Sequence, residues 1–136
     1  MKNNNIAPSN ITLNLALLIL RLGAGILMMP HGYDKFIHFS EIKTKFIQFL
    51  GLSASISLGL NIFAELFCSI LLIVGLFTRL AAIPLIIAMG VALFMAQGGD
   101  LFGKGQPAAL FLLCFIIILL AGPGTYSLDR YIKRKQ

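Results

Sequence analysis

Arg21 and Glu65 are the sole charged residues of two long apolar stretches, Ile11 to Pro30 and Ile56 to Phe77. Each stands about ten residues into its stretch, which places both near the middle of any layer that the stretches cross. A charge at the centre of a bilayer costs roughly 2.5–3.5 kcal/mol on insertion scales. Two such charges of opposite sign, at matched depth in consecutive antiparallel helices, are expected to pair. The pair has two readings: an internal staple that fixes helix register, or part of a ligand or proton site in a bundle core. Ser57, Asn61, Glu65 and Ser69 recur every four residues as one polar stripe, with Cys68 beside it. Asn14, Arg21 and Gly25 share a face of the first stretch. Two such faces in apposition make either a ligand-holding seam, open near His31, or a hydrogen-bonded helix contact.

His31 and Lys35 form a second group, four residues apart with Gly32 and Asp34 between them. If the first helix continues past Pro30, they share a face over the mouth of that seam. Gln97 and Asp100 are expected on the same side of the membrane. An imidazole near neutral pH beside a cation suits an anionic or quinone oxygen. The plainer reading is a polar collar with Lys35 reaching to headgroups. Ser57, Ser69, Arg79 and Asp129 read as structural polar residues. Arg79 follows the end of a helix, where a cation satisfies free carbonyls. Met28, Met29, Met89 and Met95 read as core filler, and Cys68 and Cys114 as small buried hydrophobes. There is no CxxC pair and no Cys/His metal-ligand spacing, so no metal site is expected. His31 and His38 fall in one segment, so the chain alone does not offer the facing helices of a bis-histidine haem.

The elements that must position these groups follow from composition. The chain has 136 residues, 58% hydrophobic and 12% charged, with mean hydropathy +0.91. An average soluble domain carries roughly a quarter charged residues. Half that charge cannot cover a small globule, whose surface is already large for its volume, so a lone soluble domain is excluded. Disorder is excluded too, because disordered chains are poor in apolar residues. The net charge of +6 does not mark a nucleic-acid partner, since four of the eleven basic residues sit in the last seven positions and no basic stripe alternates with aromatics elsewhere. The fold expected is all-α, an integral membrane bundle of four transmembrane helices. Its spans are Ile11–Pro30, Ile56–Phe77, Leu80–Ala96 and Pro107–Ala121, the last being short.

Residues 1–10 are expected to be a flexible N-terminus, 11–125 the transmembrane domain, and 126–136 a basic amphipathic tail that Ser127 caps. A cleaved signal peptide is not expected, because the first stretch is too long and lacks a small-residue cleavage site. In the first connection, Ile42, Phe46, Phe49 and Leu50 oppose Lys43, Lys45 and Gln48. With Ser40 as N-cap, this predicts a short amphipathic helix at the interface. Lys2, Arg79 and the tail cations outnumber Lys35, Lys43, Lys45 and Lys104. Both termini are therefore expected in the cytoplasm.

Several of these residues also form an ordered series that resembles the DoxX-like family of small four-helix bacterial membrane proteins. Arg21-Leu22-Gly23 is followed by His31-Gly32-Tyr33-Asp34-Lys35 and then Glu65. Gly75-Leu76-Phe77-Thr78-Arg79-Leu80-Ala81-Ala82, Met89 with Ala92, and Gly122-Pro123-Gly124-Thr125-Tyr126-Ser127-Leu128-Asp129 continue it. The resemblance implies a multi-pass protein of the bacterial inner (plasma) membrane. It implies Arg21, His31, Lys35, Glu65, Arg79 and Asp129 as the characteristic polar residues. Some relatives are linked to thiosulfate:quinone oxidoreduction, quinone or catechol stress, or membrane redox complexes. Relatives often carry a histidine near Gln97 and a glutamate near Gln106, both amides here.

Three functions remain in view. The first is an accessory or quinone-interacting component of a membrane oxidoreductase or redox-stress system, with Arg21, His31, Lys35, Asn61 and Glu65 as ligand-binding residues. The second is a small-molecule or lipid-binding carrier, and the third a purely structural subunit of a membrane complex. The expected partners are the lipid bilayer and an oxidoreductase partner or a second copy of the chain, with no nucleic acid. No intrinsic cofactor is expected, only a bound quinone, with any electrons coming from that partner or quinone.

Overall fold

A computed structural model describes residues 9–135. Residues 1–8, most of the segment expected to be flexible, lie outside the described residues. Six helices follow one another: α1 (Asn10–Ile37), α2 (Phe39–Ile42), α3 (Ala54–Val74), α4 (Thr78–Ala96), α5 (Gln106–Ala121) and α6 (Leu128–Arg134). Among the described residues, α1, α3 and α4 are long and apolar enough to cross a membrane, and α5 is a shorter apolar helix of 16 residues. These four are the bundle.

Local chemistry sets the boundaries. Ser9 caps α1 by accepting a hydrogen bond from Thr12 N, and Ser53 caps α3 through Ile56 N. Pro30 does not end α1, which runs 28 residues to Ile37. Proline is tolerated inside membrane helices because neighbouring groups satisfy the freed backbone. Continuation past Pro30 is what puts His31 and Lys35 on one helical face. Gly75, at φ 75°, ends α3 in the left-handed conformation. A Cβ there would collide with Arg21 Nη1 and Ser127 Cβ, so only glycine lets the turn close.

The first connection differs from expectation in where its short helix lies. Phe39–Ile42 is helical, and residues 43–53 run as turns and extended chain, with Leu50 at φ 50°. Phe46 and Phe49 still turn inward, against α3 and α4. Phe49 N donates to Ser57 Oγ, a tertiary bond that an isolated amphipathic helix could not make.

Small residues draw α1 against α3. Gly25 lies against Ser69 and Ile73, and Gly32 against the backbone of Glu65 and Leu66. The core is completed by Met28, Leu72, Leu85, Met89, Phe115 and Ile118. Large apolar side chains also cover the outside, such as Ile19 at 69% and Leu120 at 75% exposure. In water such a surface is a liability, whereas a bilayer solvates it.

Two π-helical turns interrupt the ladder, Phe63–Cys68 in α3 and Ala92–Ala96 in α4. Gln97 N closes the second on Ala92 O at 3.0 Å. An α-helix rotates successive fourth residues by about 40°, so a strict four-residue stripe winds off any face. The wider π turn rotates the other way, which keeps Ser57, Glu65 and Ser69 all buried.

Candidate functional site

The register of α1 on α3 decides which charges meet. Because Gly32 faces Glu65–Leu66 and Gly25 faces Ser69–Ile73, Arg21 falls beside Gly75, at the α3–α4 turn. That is roughly ten residues, or ~15 Å of helix rise, beyond Glu65. The expected Arg21–Glu65 pair is therefore not formed. Lys35 takes the carboxylate instead. Its Nζ donates to Glu65 Oε1 and Oε2, each at 2.8 Å, and to Asn61 Oδ1 at 2.8 Å. All three ammonium protons are used. Glu65 is 2% exposed and Lys35 28%.

Lys35 and Glu65 form one wall of a cavity of about 200 Å³ lined also by Met28, His31, Met89, Gln97, Lys104 and Phe111. His31 meets the Phe111 ring edge-on, with centroids 5.9 Å apart. The cavity thus has aromatic and thioether walls, an ion pair with no net charge of its own, the cation Lys104, and two further polar groups in His31 and Gln97. It does not lie in a seam between the first two helices, because Gly25 and Gly32 close that contact. It lies on the other flank of α1, where α3, α4 and α5 converge. Both π turns contribute: Glu65 belongs to one, and Ala92 of the other lines the cavity. π-bulges are frequent at functional sites.

Lys104, Phe111 and the proline Pro107 were invisible as site residues in the sequence. Lys104 sits in a glycine-rich loop and Phe111 in a uniformly apolar helix, so neither carries a periodic signal. Asn61 faces a second, apolar cavity of about 240 Å³ lined by Phe46, Phe49, Leu60, Phe63 and Pro84. The polar bond to Lys35 thus separates two chambers of different character.

At the other end, Arg21 is 2% exposed and holds the segment after α5. It donates to Tyr126 O at 2.7 Å and Pro123 O at 3.5 Å. Asn14 Oδ1 accepts from Thr125 N. Asp129 reaches back to α4, where its carboxylate accepts from Phe77 N, Thr78 N and Thr78 Oγ1 within 2.9 Å. Those bonds offset the left-handed backbone of Phe77 at φ 48°. Arg79 stands in the first turn of α4 and donates to Leu120 O, so it serves the end of α5 rather than α3. Ser57 is taken by Phe49 N, and Ser69 Oγ is buried without a hydrogen-bond partner.

Apolar helices around a buried polar cavity define a helical membrane protein. The family model described as DoxX matches residues 16–98, and the chain belongs to that family. It is 29% identical to an uncharacterized membrane protein of Mycobacterium tuberculosis, over 88% of this chain and 83% of that one. It is 33% identical to an uncharacterized protein of Haemophilus influenzae, over 88% of this chain and 92% of that one. No solved structure matches the chain at a significant level.

Proposed function

We propose that this protein binds the ring of a quinone-like molecule in the cavity beside Lys35 and Glu65, as an accessory component of a membrane oxidoreductase or redox-stress system. The observation that supports it is the cavity's make-up. A space of about 200 Å³ exceeds the ~150 Å³ that admits a benzene ring. Phe111, Met28 and Met89 offer apolar contact for such a ring, and His31 and Gln97 offer hydrogen bonds to its oxygens. Lys35 has no proton left over, so the ion pair shapes and polarises the wall while His31 meets the ligand. An imidazole there is suited to giving or taking the proton that accompanies quinone reduction. Electrons come from a partner in this reading. The location is the inner membrane with both termini cytoplasmic, on the basic-residue count given above.

Affinity of a short-chain quinone analogue for wild type, His31→Ala and Gln97→Ala in nanodiscs is the direct measurement. Loss of one hydrogen bond weakens binding by roughly fivefold, so each variant is expected to bind about that much less tightly. Equal affinities throughout, or no saturable binding, would sink the proposal. The apolar chamber on the far side of Asn61 supports a second reading, a lipid carrier. Extraction that recovers phospholipid but no quinone would favour it.

A further inference from the structure

The end of the bundle opposite the Lys35–Glu65 wall holds a larger cavity, of about 580 Å³, where the start of α4 meets the segment after α5. Arg79, Arg130 and Lys133 line it, and among the described residues none of the three forms an ion pair. Among the described residues Asp129 is the one carboxylate on its wall, and both its oxygens are occupied by the backbone and hydroxyl at Phe77 and Thr78. The cavity therefore carries an uncompensated positive charge. Leu13, Leu17 and Leu80 form an apolar side to the same space.

Of the three cations, Arg79 is the one held in place. Arg79 donates to Leu120 O and lies over Gly122, where a Cβ would come within 3.1 Å of its Nη2. Gly122 has φ 82°, so that approach suits glycine alone. The loop that forms the roof is fixed from beneath by Arg21 on Tyr126 O and by Asn14 on Thr125 N. Converging cations beside an apolar wall call for a multi-oxygen anion that accepts forked hydrogen bonds from guanidinium groups.

We propose that this cavity binds an anionic phosphate ester. The apolar side favours the headgroup of an anionic phospholipid over a soluble phosphate, because its leucines would meet the first carbons of the acyl chains. This site is independent of the quinone reading.

The test uses the full-length protein in detergent. Native mass spectrometry counts retained short-chain phosphatidylglycerol, with phosphatidylcholine as the lipid of no net charge. Glycerol phosphate and inorganic phosphate form a separate arm. Saturable binding of phosphatidylglycerol alone supports the site and assigns it to lipid. Saturation by glycerol phosphate or inorganic phosphate as well supports the site and assigns it to a soluble ester. Binding is expected to weaken roughly fivefold per cation removed in Arg79→Gln/Lys133→Gln. The Lys43→Gln/Lys45→Gln variant, changed at the far end, is expected to bind as wild type does. If the first variant fails to fold, Arg130→Gln/Lys133→Gln replaces it, since both side chains stand on exposed turns of α6. Undiminished binding in the cavity variants, equal loss in the far-end variant, or saturation by neither anion overturns the proposal.

Discussion

Lys35 and Arg21 are both cations of α1 turned into the protein, but Lys35 meets a carboxylate and Arg21 meets backbone carbonyls. The side chains suit these tasks. An ammonium is a compact point charge that a carboxylate and one amide oxygen can saturate, while a guanidinium spreads five donors over a plane and can hold several carbonyls of a loop. The Lys35 end consequently has a neutralised wall beside a cavity. The Arg21 end has a keyed loop, and its roof leaves further cations unneutralised. Buried charge therefore answers to two different demands in one helix, a site at one end and a closure at the other.

The largest effect is expected at Glu65. Glu65→Gln leaves the Lys35 ammonium without its counter-charge, and breaking a buried pair this way costs about 3–5 kcal/mol. The partial exposure of Lys35 places this pair at the lower end. Replacing both, as Lys35→Met/Glu65→Leu, is expected to be milder than the sum of the single changes. Unfolding midpoints in detergent for wild type, Lys35→Met, Glu65→Leu and the double variant measure the coupling. Strictly additive single effects would show that the two groups act apart.

A smaller loss, about 2 kcal/mol, is expected for Arg21→Met, which leaves the carbonyls of Pro123 and Tyr126 without their donor. Hydrogen exchange should rise over residues 122–135 while quinone-analogue affinity stays at the wild-type value. A drop in that affinity equal to the one from His31→Ala would join the two ends that the structure keeps separate.

The smallest effect lies just past α1, at His38. Its Nδ1 is 2.9 Å from Asp34 O and 3.3 Å from Asp34 Oδ1. The hydrogen bond to that backbone carbonyl, then the nearby charges of Asp34 and Glu41, raise its pKa above the ordinary 6.5. A raised value in the folded state means that the contact stabilises the helix end at low pH. That contribution fades as pH rises through the folded-state pKa. NMR titration of the ring should give a midpoint above 6.5, lowered only in part by Asp34→Asn because the carbonyl remains. A wild-type midpoint at or below 6.5 would break the assignment.

Much of the architecture was legible in the residues. Apolar run length located α3, α4 and α5 to within a few residues, because membrane helices must satisfy their backbone internally and show it in composition. The spacing of His31 and Lys35 correctly implied a shared face once α1 continued. Harder to read was the stretch from Ile42 to Leu50, whose periodicity matched a helix. There Phe46 and Phe49 turn toward α3 and α4 to line a cavity, and Ser57 takes a backbone donor that a helix would have spent on itself. Tertiary packing overrode local pattern.

The partner of Glu65 illustrates the division most sharply. The amino-acid order determined that Arg21 would lie on α1 and Glu65 on α3, each needing a partner in an apolar surrounding, and that Lys35 would share a face with His31 if α1 continued past Pro30. It determined depth only relative to each apolar run, and the run containing Arg21 stops at Pro30 while the helix extends to Ile37. How far α1 slides along α3 was decided by close packing at Gly25 and Gly32, which fit only where Ser69, Ile73 and the Glu65–Leu66 backbone leave room. A lengthwise offset between two helices is a property of their contact surfaces, and one chain's hydropathy does not encode it. That offset is what placed Lys35 against Glu65 and carried Arg21 to the far turn.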